Sequence, residues 1–264
     1  MIEIDGRQED IFKKDWDMLV ILDACRYDAF IESDILLKNH EIKRANTFCN
    51  GTFSWIKNNI TPADCSETIY LNPIILFERY ARHTFFKVIN VWEILWDNYY
   101  GTILPDDMTK ITLKQIKKYP NKRFIIHYHQ PHPPFLNQEF RKHKKVILTP
   151  KLVQDRDNGK VENPSHTFGG FVKGQMVRIF GPERAWKLMF RVGIEPNGMG
   201  QLYKYFSMEQ IKEAYRENIR IALRSVNKLI SETDKKVVIT SDHSYDYYGR
   251  KVKRGECVPW VEIK

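Results

Sequence analysis

The strongest constraint on the fold is a set of short apolar runs in which apolar and polar residues do not alternate. A strand with one face in water alternates, whereas a strand buried on both faces does not. These runs therefore predict an α/β fold, with a mostly parallel sheet covered by helices on both faces. The runs are residues 18–22, 87–90 and 124–126, and Val237–Thr240. Two shorter strand-like segments are residues 42–45 and 68–71.

Helical patterns lie between these runs. The longest is Met208–Ser231, where apolar residues recur at helical spacing and Ser207 with Gln210 forms a capping-box pattern. This segment leads directly into Val237–Thr240, as is typical of a crossover between parallel strands. Shorter helical patterns occupy residues 52–59, 73–82 and 105–119.

Residues 136–206 do not continue this alternation of strand-like and helical segments. They are rich in glycine, lysine and arginine. A chain of 264 residues suits one large α/β domain or two small ones. We predict a single domain over residues 1–264, with an insertion or cap near the strand ends at residues 136–206.

Composition and net charge limit the kinds of binding partner and the cellular environment that can be expected. The formal net charge of +9 fits an anionic partner or simply a solvated surface. The basic residues form no continuous stripe, so no nucleic acid is expected as a partner. No apolar stretch of about 18 residues occurs, so no transmembrane segment is expected. The N-terminus has no apolar signal region and the four cysteines are scattered, which predicts a cytoplasmic protein with reduced thiols.

Side chains that bind metals follow three of the buried runs at once. Ligands of open parallel sheets bind at the carboxyl ends of the strands, and these ends meet at one edge. Carboxylate oxygens and imidazole nitrogens are suitable ligands for Zn²⁺ or Mn²⁺. Any one of these residues could instead be a helix cap or a packing residue, but together they predict a metal site. They are Asp23, His127, His129, His132, Asp242 and His243.

Thr52 is the candidate nucleophile. It follows Gly51 at the expected start of a short helix, where backbone N–H groups favour an anion. A hydroxyl bound to a metal there can lose its proton and attack phosphorus or sulfur. Thr47 and Ser54 lie nearby and are alternatives.

The order of these motifs resembles the alkaline phosphatase/sulfatase superfamily. Specifically, the chain looks like uncharacterised archaeal sulfatase-like proteins with an LDACRYD motif. The matching segments cover most of the chain outside residues 136–206. In chain order they are DWDMLVILDACRYDAF, FFKVINVWEILWDNYYGTILPDDMT, HYHQPHPPF, VVITSDH and VPWVEI.

The resemblance implies a metal site with one divalent ion, Mn²⁺ or Zn²⁺. Asp23 matches the first metal-binding acid of the family, and Asp242 with His243 matches its Asp-His pair. Thr52 falls where the family has its nucleophile, which is also a metal ligand. His132 matches a histidine that contacts the substrate or the leaving group in related transferases.

Three further residues are assigned to substrate binding: Arg26, His127 and His129. Arg26 can bind a substrate anion or pair with Asp28, and the sequence leaves both roles open. The implied substrate is a phosphate or sulfate ester, with a glycan or a lipid headgroup as possible carriers of the ester.

Two departures from the family shape the functional expectation. The sulfatase cysteine signature C-x-P-S-R is absent, and Ser244-Tyr245 stands where the family has Gly-Glu. The chain is therefore expected to be a metal-dependent phosphoesterase or phosphotransferase, a sulfatase-like hydrolase that acts through Thr52. The alternative is a catalytically degenerate member that binds a phosphorylated or sulfated glycan or lipid headgroup without turnover.

Overall fold

The protein is an α/β structure built on one large sheet. The computed structural model describes residues 2–4, 7–33, 37, 40–75, 77, 85–143, 150, 175–176, 179–193, 202–244 and 256–263. Its strands are β1 (Ile2–Ile4), β2 (Arg7–Glu9), β3 (Met18–Asp23), β4 (Ile42–Thr47), β5 (Cys65–Asn72), β6 (Phe85–Asn90), β7 (Trp96–Asp97), β8 (Thr102–Ile103), β9 (Arg123–Pro131), β10 (Val237–Thr240) and β11 (Glu256–Ile263).

The helices that the structure describes lie between these strands. They are α1 (Tyr27–Ser33), α2 (Thr52–Trp55), α3 (Val91–Ile94), α4 (Pro105–Lys118), α5 (Gln138–Lys142), α6 (Pro182–Arg191) and α7 (Met208–Ser231). A 3-10 turn covers Ile11–Lys13, and α2 continues into a π-helical turn over Ile56–Ile60.

The large sheet has a parallel half and an antiparallel half. Its strand order is β2-β1-β4-β11-β10-β3-β9-β5-β6. Pairing is parallel from β10 to β6 and antiparallel from β2 to β10. Two successive antiparallel pairings return β4 to the direction of β10, so only β11 and β1 run against the other described strands. The mostly parallel sheet is thus confirmed, and β4 ends at the same edge as β3, β9 and β10.

Helices cover both faces of the sheet, as the sequence predicts. All of β3 is buried, and its side chains divide between two apolar clusters. Met18, Val20 and Leu22 pack in the cluster that contains α1, α4 and α7. Leu19 and Ile21 pack in the cluster that contains α2 and the π-helical turn. Burial on both faces explains why the run shows no alternation.

Several sequence predictions agree with the structure, and one boundary differs. The helix Met208–Ser231, its capping box and the strand Val237–Thr240 lie where predicted. The strand β9 continues to Pro131, so His127 and His129 lie inside the strand instead of after it. This extension was missed because a run with histidines and prolines lacks the apolar signature of a buried strand.

Two predictions fall largely outside the described residues. Most of the predicted helix at residues 73–82 lies there, and residues 73–75 are not helical. Of the proposed insertion at residues 136–206, the structure describes α5, α6 and short flanking segments, so its role as a cap stays a prediction.

The state of the cysteines and the character of the helices can also be compared with the sequence. All four cysteines are free thiols. Among the described helices, none combines the length and the apolar character needed to cross a bilayer.

Asn218 of α7 holds the segment that follows β9. Its Oδ1 accepts a hydrogen bond from the Leu136 N–H at 2.9 Å. Its Nδ2 lies 3.2 Å from the Pro134 oxygen and 3.4 Å from the Pro131 oxygen. The side chain is completely buried, so it supplies partners to backbone groups that water does not reach. Residues 131–136 are thereby fixed beside the sheet edge.

Replacing Asn218 by alanine should lower the free energy of unfolding by about 1–3 kcal/mol, because buried backbone groups lose their partners. Urea unfolding followed by circular dichroism measures this. Asn227→Ala is the matched control, since Asn227 lies half-buried on the same helix and its side chain makes no hydrogen bond within the described residues. Equal losses in the two variants would contradict the proposed role of Asn218.

Candidate metal centre

Two carboxylates meet at the carboxyl edge of the sheet. Asp23 is the last residue of β3, and Asp242 follows β10 by two residues. The two strands are adjacent and parallel, with Thr240 beside Ile21. Both carboxylates are buried, with exposed fractions of 3% for Asp23 and 0% for Asp242. Buried like charges are costly unless cations or hydrogen bonds compensate them.

The turn directly after β3 is held in place from two other elements. Ala24 has φ of 59°, a left-handed conformation that costs about 1–3 kcal/mol for a residue with a side chain. Its N–H donates to Asp242 Oδ1 at 3.0 Å, and the Cys25 N–H donates to Ser241 Oγ at 2.8 Å. The buried Tyr215 hydroxyl of α7 donates to the Ala24 oxygen at 2.6 Å. These contacts offset the strain and fix the carboxylate that precedes the turn.

His243 completes the first group of ligands, which we call the inner cluster: Asp23, Asp242 and His243. His243 Nε2 lies 3.5 Å from Asp23 Oδ1 and 3.6 Å from Asp242 Oδ2. Among the described residues, these two buried oxygens have no hydrogen-bond partner. His243 Nδ1 lies 2.8 Å from the Ser244 carbonyl oxygen, so Nδ1 carries a proton and Nε2 faces the carboxylates.

The inner cluster has the spacing of a metal site. Ligands about 2.1 Å from a tetrahedral ion lie about 3.4 Å from one another, close to the separations found here. Two unpartnered carboxylate oxygens and an oriented imidazole nitrogen therefore fit a divalent cation. The ligands Asp23, Asp242 and His243 predicted from the sequence are brought together by the fold.

A second group of ligands, the outer cluster, consists of Asp23, His129 and His132. His129 Nε2 lies 4.0 Å from Asp23 Oδ2. The two imidazole rings are stacked, with centroids 5.8 Å apart and an interplanar angle of 9°. The backbone N–H of His132 donates to the backbone carbonyl oxygen of Asp23 at 3.1 Å, which fixes the segment after β9 against β3. Two of the histidines in HYHQPH thus face the same carboxylate.

His127 takes a different position from the other histidines of its segment. It is completely buried, and its Nδ1 lies 2.9 Å from the Tyr70 hydroxyl. Burial lowers the pKa of His127, although the charges of Asp242 and Asp23 oppose that shift. Its Nε2 has no hydrogen-bond partner within the described part of the chain. Substrate contact by His127 stays a prediction.

The candidate hydroxyl groups differ in their surroundings. Thr47, at the end of β4, donates to the Asp242 backbone oxygen at 3.1 Å and is buried. Ser54 Oγ accepts a hydrogen bond from the Asn58 amide at 3.2 Å. Thr52 begins α2 and is half-buried, and its side chain makes no hydrogen bond within the residues that the structure describes. Its role as metal ligand and nucleophile stays a prediction.

A cleft with a volume of about 710 Å³ is lined by Ser244, the residue after His243 of the inner cluster. Arg26 and Arg44 contribute guanidinium groups to its wall. Arg26 also forms a forked pair with Asp28, with N–O distances of 2.8 and 2.6 Å. Arg44 was not identified from the sequence, because its place beside the cleft depends on the pairing of β4 with β11.

The charges of the inner cluster shift two pKa values in opposite directions. Burial disfavours protonated His243, but Asp242 and Asp23 outweigh it and raise the pKa of His243 to about 9. Burial alone would raise the pKa of Asp23, but His132, His243 and His127 outweigh it and lower that pKa below its usual range. A proton on His243 thus offsets the carboxylates without a metal, and metal binding releases it.

No protein-family model matches the chain. No curated protein matches it significantly.

The stability of the metal-free protein should depend on His243. Its pKa in the folded protein exceeds its usual value of 6.5, so the stabilisation is complete below pH 6.5 and is lost as the pH rises through about 9. We expect the free energy of unfolding, measured with urea and a chelator, to fall across this range. Below about pH 8 the fall should vanish in His243→Gln. Above that pH the raised pKa values of the buried Cys25 and Cys65 thiols add a fall that both proteins share.

His40→Gln is the control for this measurement, because His40 is exposed. His127 does not interfere, since its lowered pKa affects stability only below pH 6.5. A fall of the same size in His243→Gln as in the unmodified protein would show that His243 does not carry the effect.

Proposed function

We propose that the protein is a metal-dependent phosphoesterase or phosphotransferase of the alkaline phosphatase/sulfatase type that acts on an anionic ester. The observation that carries the proposal is the inner cluster. Two buried and unpartnered carboxylate oxygens lie within 3.6 Å of one imidazole nitrogen. They do so at the carboxyl edge of the parallel strands, where α/β proteins bind their ligands.

Asp23, Asp242 and His243 would hold one divalent cation, Mn²⁺ or Zn²⁺. Both ions accept the oxygen and nitrogen ligands of this set. When bound, such an ion polarises an ester oxygen and lowers the pKa of a coordinated hydroxyl or water. The protein supplies the rest of the chemistry through groups around the cluster.

Thr52 is the proposed nucleophile. The hydrogen bond from Thr47 to the backbone of Asp242 joins the end of β4 to the cluster, and α2 begins five residues after Thr47. Thr47 is engaged in that bond and Ser54 accepts one from Asn58, which favours Thr52 among the three hydroxyls. Its hydroxyl would lose its proton to solvent, its oxygen would attack phosphorus, and the bond from phosphorus to the ester oxygen would break. Water or an acceptor hydroxyl would then take the phosphoryl group and release Thr52.

His132 is the proposed donor of a proton to the ester oxygen that departs from phosphorus. Its Nδ1 donates to the Pro133 carbonyl oxygen at 2.6 Å, which leaves Nε2 as the nitrogen that exchanges a proton. The backbone of His132 is also fixed to Asp23. A general acid held this way contributes about 10²- to 10⁴-fold to a rate.

The cleft beside the cluster supports an anionic substrate. Arg26 and Arg44 lie in its wall, and guanidinium groups pair with phosphate and sulfate oxygens. Binding through Arg26 competes with its pair to Asp28. The volume of about 710 Å³ accommodates an ester with a sizeable leaving group.

The alternative is a protein that binds an anionic glycan or lipid headgroup without turnover. It is favoured by the lack of a hydrogen bond between Thr52 and the inner cluster in the part of the chain that the structure describes. Ser244 and Tyr245, which stand in place of Gly-Glu after His243, point the same way.

Turnover of an aryl phosphate with Mn²⁺ or Zn²⁺ tests these functions. Asp242→Asn should lower both bound metal and turnover, because it removes one charged ligand. Thr52→Ala should retain the metal and lose turnover by about 10³-fold or more. Thr233→Ala is the control, since Thr233 precedes β10 and lies at the opposite edge of the sheet.

Metal binding without turnover in the unmodified protein would leave the binding function. Full turnover in Thr52→Ala would instead assign the attack to Thr47, to Ser54 or, if their alanine variants are also active, to a metal-bound water. Absence of any bound metal in the unmodified protein would contradict the enzyme and leave only the binding function.

A further inference from the structure

We propose that one exposed face of α6 docks the protein on an anionic membrane surface, with the helix lying in the plane of the lipid headgroups. The side chains of this face recur at helical spacing and all are exposed. We call them the docking face: Arg184, Lys187, Leu188, Arg191 and Val192. Docking as proposed requires neither a bound metal nor turnover.

The opposite face of α6 packs into the protein. Ala185 and Met189 are buried, and Trp186 packs against the apolar cluster that contains α7. At about 100° of rotation per residue, these three residues lie on the other side of the helix from the docking face. One face of α6 thus attaches it to the core, and the docking face is left exposed for another contact.

The docking face and the residues just before it expose large apolar side chains. The exposed fractions are 44% for Leu188 and 67% for Val192, and they are 70% for Ile179 and 51% for Phe180. Four of the ten large apolar side chains that are exposed in the described part of the chain thus fall within residues 179–192. Scattered exposure is normal on a protein surface, whereas a concentration of this kind marks an interaction site.

The charge of α6 identifies the kind of partner. Its exposed charged residues, Arg184, Lys187 and Arg191, are all basic. Its one acid, Glu183, is half-buried and accepts hydrogen bonds from Lys187 Nζ at 2.7 Å and from the Met208 N–H at 3.2 Å. Basic side chains among exposed apolar ones suit anionic lipid, because the cations attract the headgroups and the apolar groups enter the boundary with the acyl chains. A second copy of the chain would bring like charges together, which disfavours self-association through this face.

The helix α4 carries a basic face of a different character. Lys110, Lys114 and Lys117 are exposed there at helical spacing, and Leu113 beside them is half-buried. Over the length of α4, which the structure describes completely, no large apolar side chain is exposed. The face of α4 therefore has the charge for anionic lipid but lacks apolar side chains to insert. It provides a matched control for α6.

The helix α6 begins on the side of the sheet that carries the inner cluster. Tyr215 of α7 contacts the turn after β3, and Lys236, beyond the other end of α7, bonds to Asp17 just before β3. The seven residues from Met208 to Tyr215 therefore extend about 10 Å beyond that turn. The Met208 N–H donates to Glu183, which places the start of α6 at this end of α7. Taken with the proposed function, on which this step rests, docking favours a lipid headgroup over a glycan as the carrier of the ester.

Sedimentation with lipid vesicles tests docking without reference to activity. The full-length protein is stripped with a chelator, so that no bound metal contributes to lipid binding. It is mixed with vesicles of phosphatidylglycerol and phosphatidylcholine in equal parts, or of phosphatidylcholine alone. We expect sedimentation with the anionic vesicles that weakens as the salt concentration rises, and little with the neutral ones. Equal sedimentation with both kinds of vesicle, or with neither, would overturn the inference.

Charge variants assign the binding to α6. The double variant Arg184→Gln with Arg191→Gln should bind anionic vesicles about 25-fold more weakly, since each basic residue near such a surface contributes about 5-fold. The double variant Lys114→Gln with Lys117→Gln removes the same charge from α4 and should lose clearly less affinity. Equal losses would assign the binding to net charge and would overturn the docking face. Circular dichroism checks that both variants fold.

Apolar variants test insertion into the lipid. Val192→Gln should weaken binding about 5-fold or more, because an apolar side chain no longer leaves water. Ile94→Gln is the control, since Ile94 is 61% exposed, close to the 67% of Val192, and lies on α3. Unchanged affinity in Val192→Gln, or an equal loss in the two variants, would contradict docking through α6.

Hydrogen exchange measures the same contact in the unmodified protein. Anionic vesicles should slow exchange of the amides of α6 and leave those of α4 unchanged. Self-association that is lost in the Arg184 and Arg191 double variant, without vesicle binding, would assign the face to a second copy and overturn the inference. Vesicle binding without turnover of an aryl phosphate would contradict the enzyme and leave docking intact. Turnover without vesicle binding would contradict docking alone.

Discussion

The rest of the structure depends on two carboxylates buried side by side. Asp23 and Asp242 lie at the ends of adjacent parallel strands, where water cannot screen their repulsion. Part of the compensation is internal: the N–H groups of Ala24 and His243 donate to Asp242 Oδ1, and His243 offers a proton. The remaining oxygens could hold a cation, which would turn a costly local arrangement into a binding site.

The same constraint explains why the site needs the whole fold. Parallel pairing places β3 beside β10, and the crossover through α7 makes that pairing possible across more than two hundred residues of chain. Along α7, Tyr215 holds the turn after Asp23, and Asn218 holds the segment after β9. These residues are three positions apart and therefore share one face of the helix. One helix face thus positions both the inner and the outer cluster.

The sequence predicted those strands and helices that are encoded by a pattern within one short stretch of residues. The apolar runs gave β3 and β10, and the period of α7 with its capping box gave that helix. The inner ligands followed, because strand ends of a parallel sheet converge. The antiparallel strands β1 and β11 were missed, since their partners are set by long-range pairing. The sequence also could not distinguish the roles of the three histidines in HYHQPH. Only packing shows that His127 turns toward Tyr70 while His129 and His132 face Asp23.

The shared helix face has a consequence for how this chain tolerates change in length. Three residues of helix advance by about 4.5 Å, which sets the offset between the two backbone segments that Tyr215 and Asn218 hold. A single residue inserted between them would rotate one anchor by about 100° away from its segment. Substitutions on the exposed side of α7 leave this offset unchanged. The helix therefore tolerates variation in its composition far better than an insertion or a deletion between its two anchors.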